Sequence, residues 1–230
     1  MAPTGKVSIA VLSDEDIPTC FHVMSQSFDH DKPFVDAYFP NHDTPSGQAQ
    51  GSKRLTTWKN NFEESTFLKA VISPQAPDEQ GEVPERIIGL GIWTLMKTPP
   101  PAELEKAENI EAWPDEDDRE FMARLWKDYV VPRSQAIEDS NGKGAYVLEL
   151  LAVHPDYQRL GAGTALIKWG TSAADELGVK AVVESSPVGR RVYQKCGFGI
   201  QIEEMRFEVG ERFAERRKPG LTFMTREPQR

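Results

Sequence analysis

The sequence predicts an α/β domain built on a mixed sheet, and three observations carry that prediction. Residues 66–96 read as two strands joined by a polar turn, a hairpin and therefore antiparallel. Residues 145–184 read as strand, glycine-containing loop, helix and strand, a unit whose strands run parallel with a right-handed crossover. Residues 14–28 carry apolar side chains at helical spacing directly after a short alternating strand, so the two periodicities interleave along the chain. The hydrophobic fraction of 39% over 230 residues is enough for a real core. The length allows one large domain or a domain with an insert.

The elements follow in order. Val7 to Val11 alternates apolar and small residues, as a half-buried strand does. Ser13 stands where a helix cap would, ahead of Asp14, Glu15 and Asp16 at the positive helix end, and Ile17, Cys20, Phe21, Met24 and Phe28 continue at helical spacing. Residues 29–50 read as a turn-rich loop. Asp29-His30-Asp31 and His42-Asp43 lie in it. A lone His/Asp cluster in a proline-rich loop reads as solvated surface, and no second ligand set appears at metal spacing, so no metal is expected. Phe34, Tyr38 and Phe39 share that loop, either packing it down or lining a site.

Residues 51–64 have mixed helical composition through Leu55, Trp58 and Phe62. Phe67 to Ile72 is a strand, 73–85 a polar turn with three prolines, and Arg86 to Met96 the second strand. Gly89 and Gly91 mark a bulge or a close approach there, and Trp93 belongs in the core. Two helices are expected beyond Pro99-Pro100-Pro101, over 102–110 and 119–137. Across 99–140 twelve acids outnumber five bases, so this segment carries −7 of the chain's −9. That charge either draws amines by its field or is simply a solvated helix face.

Ala145 to Val153 is nearly continuous in apolar residues, hence buried on both faces, and Glu149 is its only acid. Such an acid is either functional, or ion-paired or at a strand edge. A helix over 161–177 ends at Gly178, a strand occupies 180–184, and a short helix over 189–196 closes at Gly197. Residues 200–209 and 221–225 read as two last strands, joined by a linker bearing Arg212, Arg216, Arg217 and Lys218.

The chemistry concentrates between Leu148 and Leu166. Pro155 stops the strand, and Gln158-Arg159-Leu160-Gly161-Ala162-Gly163 leads into a helix at Thr164. First-turn N–H groups are unpaired, the helix dipole favours negative charge, and glycine admits a ligand close to the backbone. This is a site for an anionic phosphate.

Two blocks carry a family resemblance. Gln158-x-x-Gly161-x-Gly163 after Val153-His154-Pro155 resembles the acyl-CoA pyrophosphate loop of the GNAT superfamily of N-acetyltransferases. Ser185-Ser186-Pro187-Val188-Gly189-Arg190-Arg191-Val192-Tyr193-Gln194-Lys195-Cys196-Gly197-Phe198 resembles the family's closing helix, a tyrosine with Gly-Phe four residues on. The resemblance is specific over 145–200 and loose elsewhere. It implies an α+β GNAT fold: a central, mixed, mostly antiparallel twisted sheet flanked by helices, as a single domain over 1–230. Residues 99–140 are then a helical insert, because the family core joins the flanking strands by a short turn.

The resemblance further implies acetyl-CoA as co-substrate, held by Leu151, Val153, Gln158, Arg159, Leu160, Gly161, Ala162, Gly163, Thr164, Ser186 and Tyr193. Ser186 stands where many members carry Asn. Phe28, Phe34 and Tyr38 fall in the region that covers the acceptor. Many members pair through their late strands, so residues 200–225 imply a homodimer.

Acetyl transfer to an amine needs a held donor, a neutral nucleophile and a proton for the leaving thiolate. An alkylamine near pKa 10.4 is about three units from neutral at pH 7, which costs roughly 4–5 kcal/mol. Glu149 is the candidate general base, directly or through water; a catalytic histidine holds the matching place in the arylalkylamine branch. Tyr193, a phenol protonated at neutral pH, is the candidate general acid. His154 reads as a loop residue and Cys196 as packing. The acceptor is expected to be a small-molecule amine; the alternatives are a protein or peptide amino group, or a non-catalytic acyl-CoA-binding sensor.

The net charge of −9 argues against a nucleic-acid surface and suits a cationic substrate. Cys20 and Cys196, far apart, predict no structural disulfide and a reducing compartment. No apolar run reaches membrane-spanning length and the start lacks a signal peptide's core, so a cytoplasmic protein without a membrane partner is expected.

Overall fold

Seven strands form one sheet: β1 (Gly5–Val11), β2 (Ser65–Pro74), β3 (Arg86–Met96), β4 (Ala145–Val153), β5 (Lys180–Ser185), β6 (Gly199–Ile202) and β7 (Thr222–Arg226). The protein is seen here as a computed structural model that describes residues 5–74, 85–104 and 111–229. The spatial order is β1-β2-β3-β4-β5-β7-β6. Only β4 and β5 are parallel; the other neighbours are antiparallel. This is the mixed, mostly antiparallel sheet the sequence predicts.

Helices cover both faces. α1 (Ile17–Phe28), α2 (Pro33–Tyr38) and α3 (Pro45–Asn61) lie on one face, joined there by α4 (Glu116–Tyr129) and α5 (Val131–Glu138). α6 (Ala162–Leu177) and α7 (Arg190–Lys195) cover the other. Ser13 opens the first helical turn as expected: its amide and hydroxyl both donate to the Asp16 carboxylate, at 2.8 and 2.7 Å. On the α6 face Trp93 stacks on Tyr146 and its indole donates to the Leu166 carbonyl at 3.3 Å. A side chain at Gly170 would meet the Trp93 ring at 2.0 Å, so only glycine lets α6 come this close.

Three expectations need correction. Residues 29–50 are not a plain loop: α2 lies within them and α3 begins at Pro45, capped by the Thr44 hydroxyl, which accepts from the Gly47 amide at 3.1 Å. Thr-Pro at N-cap and N1 was the available signal. The helix expected over 119–137 is two, because Pro132 has no N–H to continue the first ladder and opens the second helix instead. The strand expected over 200–209 stops at Ile202. Beyond it Met205, Phe207 and Val209 still alternate inward, but they pack on α4, and the Glu208 amide donates to Asp128 at 2.6 Å. The acids of α4 do not form a free field: Asp117 and Glu120 meet Arg212, and Asp118 meets Arg216. The helix expected over 102–110 lies mainly outside the described residues, as does most of the 73–85 turn.

The bulge expected near Gly89 is present: Ala70 faces Gly89 and Val71 faces Ile87, so Ile88 is the extra residue. Both cysteines are free. No described helix is long and apolar enough to cross a membrane.

Candidate active site

The site begins with a failure of pairing. β4 and β5 run together from Ala145↔Lys180 to Leu148↔Val183, and their ladder ends there. On its other side β4 stays with β3 to Val153, but Trp93 faces Leu148 and Ile92 faces Leu150, leaving Glu149 as the extra residue of a bulge. The bulge shifts the alternation: Tyr146 and Leu148 point to the α6 face, while Leu150 and Ala152 point to the α1 face. Glu149 therefore sits at the point where the strands part.

A cleft of about 660 Å³ opens at that point. Glu149 to Leu151, Glu184, Ser186 and Tyr193 form its floor. Its wall is aromatic: Phe28, Phe34, Tyr38 and Trp58 come from α1 to α3, Trp126 and Tyr129 from α4. Phe34 stacks on Tyr129 at 4.2 Å and Tyr38 on Trp126 at 6.1 Å, so the α2 aromatics and α4 make one surface. Pro100, Pro101 and Leu104 complete it from the segment after β3, and residues 217–221 close it from the C-terminal side. The three acceptor residues expected from sequence thus share one cleft with both expected catalytic residues.

Sequence reasoning missed the partner of Glu149. Arg133, on α5 and fully buried, donates to Glu149 at 2.7 Å, to Glu184 through Nε at 2.9 Å and again through Nη2, and to the Tyr129 hydroxyl at 2.8 Å. Its guanidinium lies over the Tyr129 ring. The two carboxylates share one guanidinium, so the cluster carries a net charge of −1 beneath the cleft. Burial pushes the Glu149 carboxyl up and the Glu184 charge adds to this, against the downward pull of Arg133. For Arg133, burial opposes the charge, but Glu149 and Glu184 outweigh it and hold it ionised. The available signal was a second lone acid in a strand, Glu184, matching Glu149. Glu149 is thus ion-paired, one of the two readings open from sequence, and it also lines the cleft.

Tyr193 is 6% exposed and packs edge-on against Phe198. Burial raises its phenol far above the ordinary value, so it stays protonated. Among the described residues no side chain hydrogen-bonds its hydroxyl, which leaves that proton for a ligand. Ser186 lines the same floor, although its hydroxyl also accepts from the Gly189 amide at 3.4 Å. Burial raises both cysteine thiols, Cys20 to about 12, which makes them poor nucleophiles. His154 turns the chain after β4, its Nδ1 accepting from the Asp156 amide at 3.2 Å.

The 158–164 loop follows β4 and does not line the cleft itself. Gln158 folds back and donates to the Val153 carbonyl at 3.3 Å, shaping the loop. Arg159 and Gly161 take left-handed backbone, at φ 65° and 95°. Gly161 is the N-cap of α6, so the amides of Ala162, Gly163 and Thr164 are its first-turn donors. A side chain at Gly161 would touch nothing, and one at Gly163 would meet only Val153 at 3.7 Å. Protein packing does not demand glycine at 163. The bare backbone leaves room for a ligand, and this donor set fits a pyrophosphate. Leu151 and Val153 lie on the part of β4 that has lost β5, so their backbone borders the gap between loop and cleft.

Comparison with known proteins follows this geometry. The model of the acetyltransferase (GNAT) family matches residues 92–198. An acetyltransferase of Stachybotrys chartarum is 27% identical over 114 residues, 50% of this chain and 49% of that protein. The chain therefore spans about half the length of the curated relative it matches. Among solved structures, arylalkylamine N-acetyltransferase 2 of Aedes aegypti superposes with TM-score 0.62 at 17% identity, over 97% of this chain and 100% of that one. A Corynebacterium glutamicum protein described as histone acetyltransferase HPA2 and related acetyltransferase gives 0.59 at 16%, over 100% and 98%. At such identities the likeness concerns the fold.

Proposed function

We propose that this chain, whose residues 92–198 match the acetyltransferase (GNAT) family model, is an acetyltransferase of that family and transfers the acetyl group of acetyl-CoA to a primary amine of a small molecule. The observation that supports this is the end of the β4–β5 ladder at Leu148 and Val183, beyond which Glu149, Glu184 and Tyr193 line an aromatic cleft. The amides of residues 162–164 hold the pyrophosphate of the coenzyme. The β4 edge that has lost β5, at Leu151 and Val153, lies along its arm, and Ser186, just beyond β5, faces it. The known Aedes aegypti neighbour acts on arylalkylamines; the stacked Phe34, Tyr38, Trp126 and Tyr129 of this chain support an acceptor with an apolar or aromatic body.

The −1 cluster attracts the ammonium form of the acceptor. Glu149, with its pKa raised by burial, takes one proton from it, directly or through a water. The neutral nitrogen then attacks the thioester carbonyl: the C–N bond forms, the C–S bond breaks, Tyr193 gives its proton to the leaving thiolate, and the second proton released by the nitrogen restores the phenol through solvent. Arg133 keeps Glu149 and Glu184 fixed and is a positioning residue.

The test is thiol release from acetyl-CoA against a panel of alkylamines, arylalkylamines and short peptides, beside a titration of acetyl-CoA binding. Turnover with one or more free amines and none with peptides is the expected result. Turnover with peptides alone would move the assignment to a protein acceptor. Binding without turnover across the panel would point to a sensor, and absence of binding would overturn the assignment of the 158–164 loop.

A further inference from the structure

His30, Asp36 and His42 lie outside the cleft floor and take no part in the transfer described above. They come from the end of α1, from α2 and from the turn before α3, and the fold brings them together although they stand apart in sequence. The donor atoms of the three lie within 4.8 Å of one another. We propose that they form a binding site for one divalent metal ion of the zinc type.

The hydrogen-bond geometry supports this. The His42 ring is held at both nitrogens: Nδ1 stands 2.8 Å from the Ser25 hydroxyl, which also lies 3.1 Å from the His42 carbonyl, and Nε2 stands 3.1 Å from an Asp36 carboxylate oxygen. His30 repeats the pattern. Its Nε2 faces the Asp43 carboxylate at 3.4 Å, and its Nδ1 stands 2.9 Å from the same Asp36 oxygen. Two imidazole nitrogens thus converge on one anionic oxygen, and a divalent cation that displaces any proton held there would be shared by all three. Each histidine is also oriented through its distal nitrogen, by Ser25 and by Asp43, the outer-shell arrangement of metal-bound imidazole.

Two histidines, one carboxylate and an open side toward solvent suit zinc with a fourth position for water. His42 is fully buried and His30 is exposed, so one side is fixed and the other can adjust to give bonds of about 2.0–2.2 Å. Arg217 donates to the His30 carbonyl at 3.0 Å, away from the ring donors. An ion here ties α2 to α1 and to the start of α3. Phe34 and Tyr38, on α2, are part of the cleft wall, so the metal would fix the acceptor side of the cleft.

The experiment uses the full chain without a purification tag, stripped with chelator and titrated with Zn²⁺ by calorimetry, with melting temperature as a second readout. One equivalent should bind and raise the melting temperature. His30→Ala and Asp36→Asn, at partly exposed positions that spare the core, should abolish saturable binding and the thermal shift. Asp43→Asn, which changes only the outer shell, should weaken binding about 10–100-fold. His22→Ala should bind as the parent does. If the parent binds no Zn²⁺, or if His30→Ala and Asp36→Asn bind it unchanged, the cluster is a protonated hydrogen-bonded network and the proposal fails.

Discussion

Two arginine–carboxylate clusters involve α4 and α5, and the contrast between them shows what burial does to one kind of interaction. Arg133 meets Glu149 and Glu184 with its guanidinium fully buried. Arg212 meets Asp117 and Glu120 with its side chain about half exposed, and Arg216 meets Asp118 beside it. The contacts are of the same type. Around Arg133, however, water cannot replace a lost partner, and two carboxylates would remain in a low-dielectric place. Around Arg212 solvent screens every charge. The first cluster constrains the site, while the second mainly holds residues 211–218 on α4.

The largest effect is expected from Arg133→Met. Removing one partner from a buried cluster typically costs about 3–5 kcal/mol. Denaturant unfolding should report a loss of that size. Glu149 and Glu184 would then share a proton, so any folded fraction should also lose turnover. An unchanged midpoint would mean that the buried cluster is no stiffer than the surface one, and the contrast would fall.

Tyr193→Phe comes next, because it removes an acid from the cleft without removing a buried charge. Turnover should drop by about 10²–10⁴-fold while acetyl-CoA affinity and stability hold. A matched loss of affinity would assign Tyr193 to binding in place of proton transfer.

Glu149→Gln follows, and pH reports on it. Burial raises the Glu149 pKa, so the acid limb of kcat/KM should lie above the usual carboxylate range. Above that pKa Glu149 is ionised and the parent should exceed the variant. Below it the carboxyl is protonated, the base is lost in both, and the two profiles should converge. Profiles that stay parallel across the whole range would remove Glu149 from proton transfer and leave it as the partner of Arg133.

The same contrast explains what could be read from the sequence. The donors of the 158–164 loop are backbone amides in one contiguous stretch at a helix start, so Gly161 and Gly163 announce its geometry. The hairpin, β4, β5 and the flanking helices follow from periodicity for the same local reason. Glu149 was legible as an anomaly, a lone acid among apolar residues. Its partner was not, because Arg133 sits on α5 and is brought to it only by tertiary packing. The acceptor wall draws on α1 to α4 and on residues 217–221, so no single window of sequence describes it. β6 ended early because Met205, Phe207 and Val209 kept a strand's alternation while packing against α4. Alternation reports burial on one side and says nothing about who supplies the backbone hydrogen bonds.

The smallest effect is expected from Arg212→Ala, and it tests the other half of the contrast. Arg212 touches Asp117 and Glu120, and its guanidinium also lies over Phe213. Exposed pairs of this kind contribute little because solvent and salt compete for both partners. Arg216 keeps its own contact with Asp118 and also lies over Phe213, so the segment stays docked when Arg212 is removed. Thermal unfolding should therefore shift only slightly, and the shift should shrink further as ionic strength rises. Turnover should remain that of the parent. A large loss, insensitive to salt, would show that the docked segment behaves as part of the core, and exposure would no longer separate the two clusters.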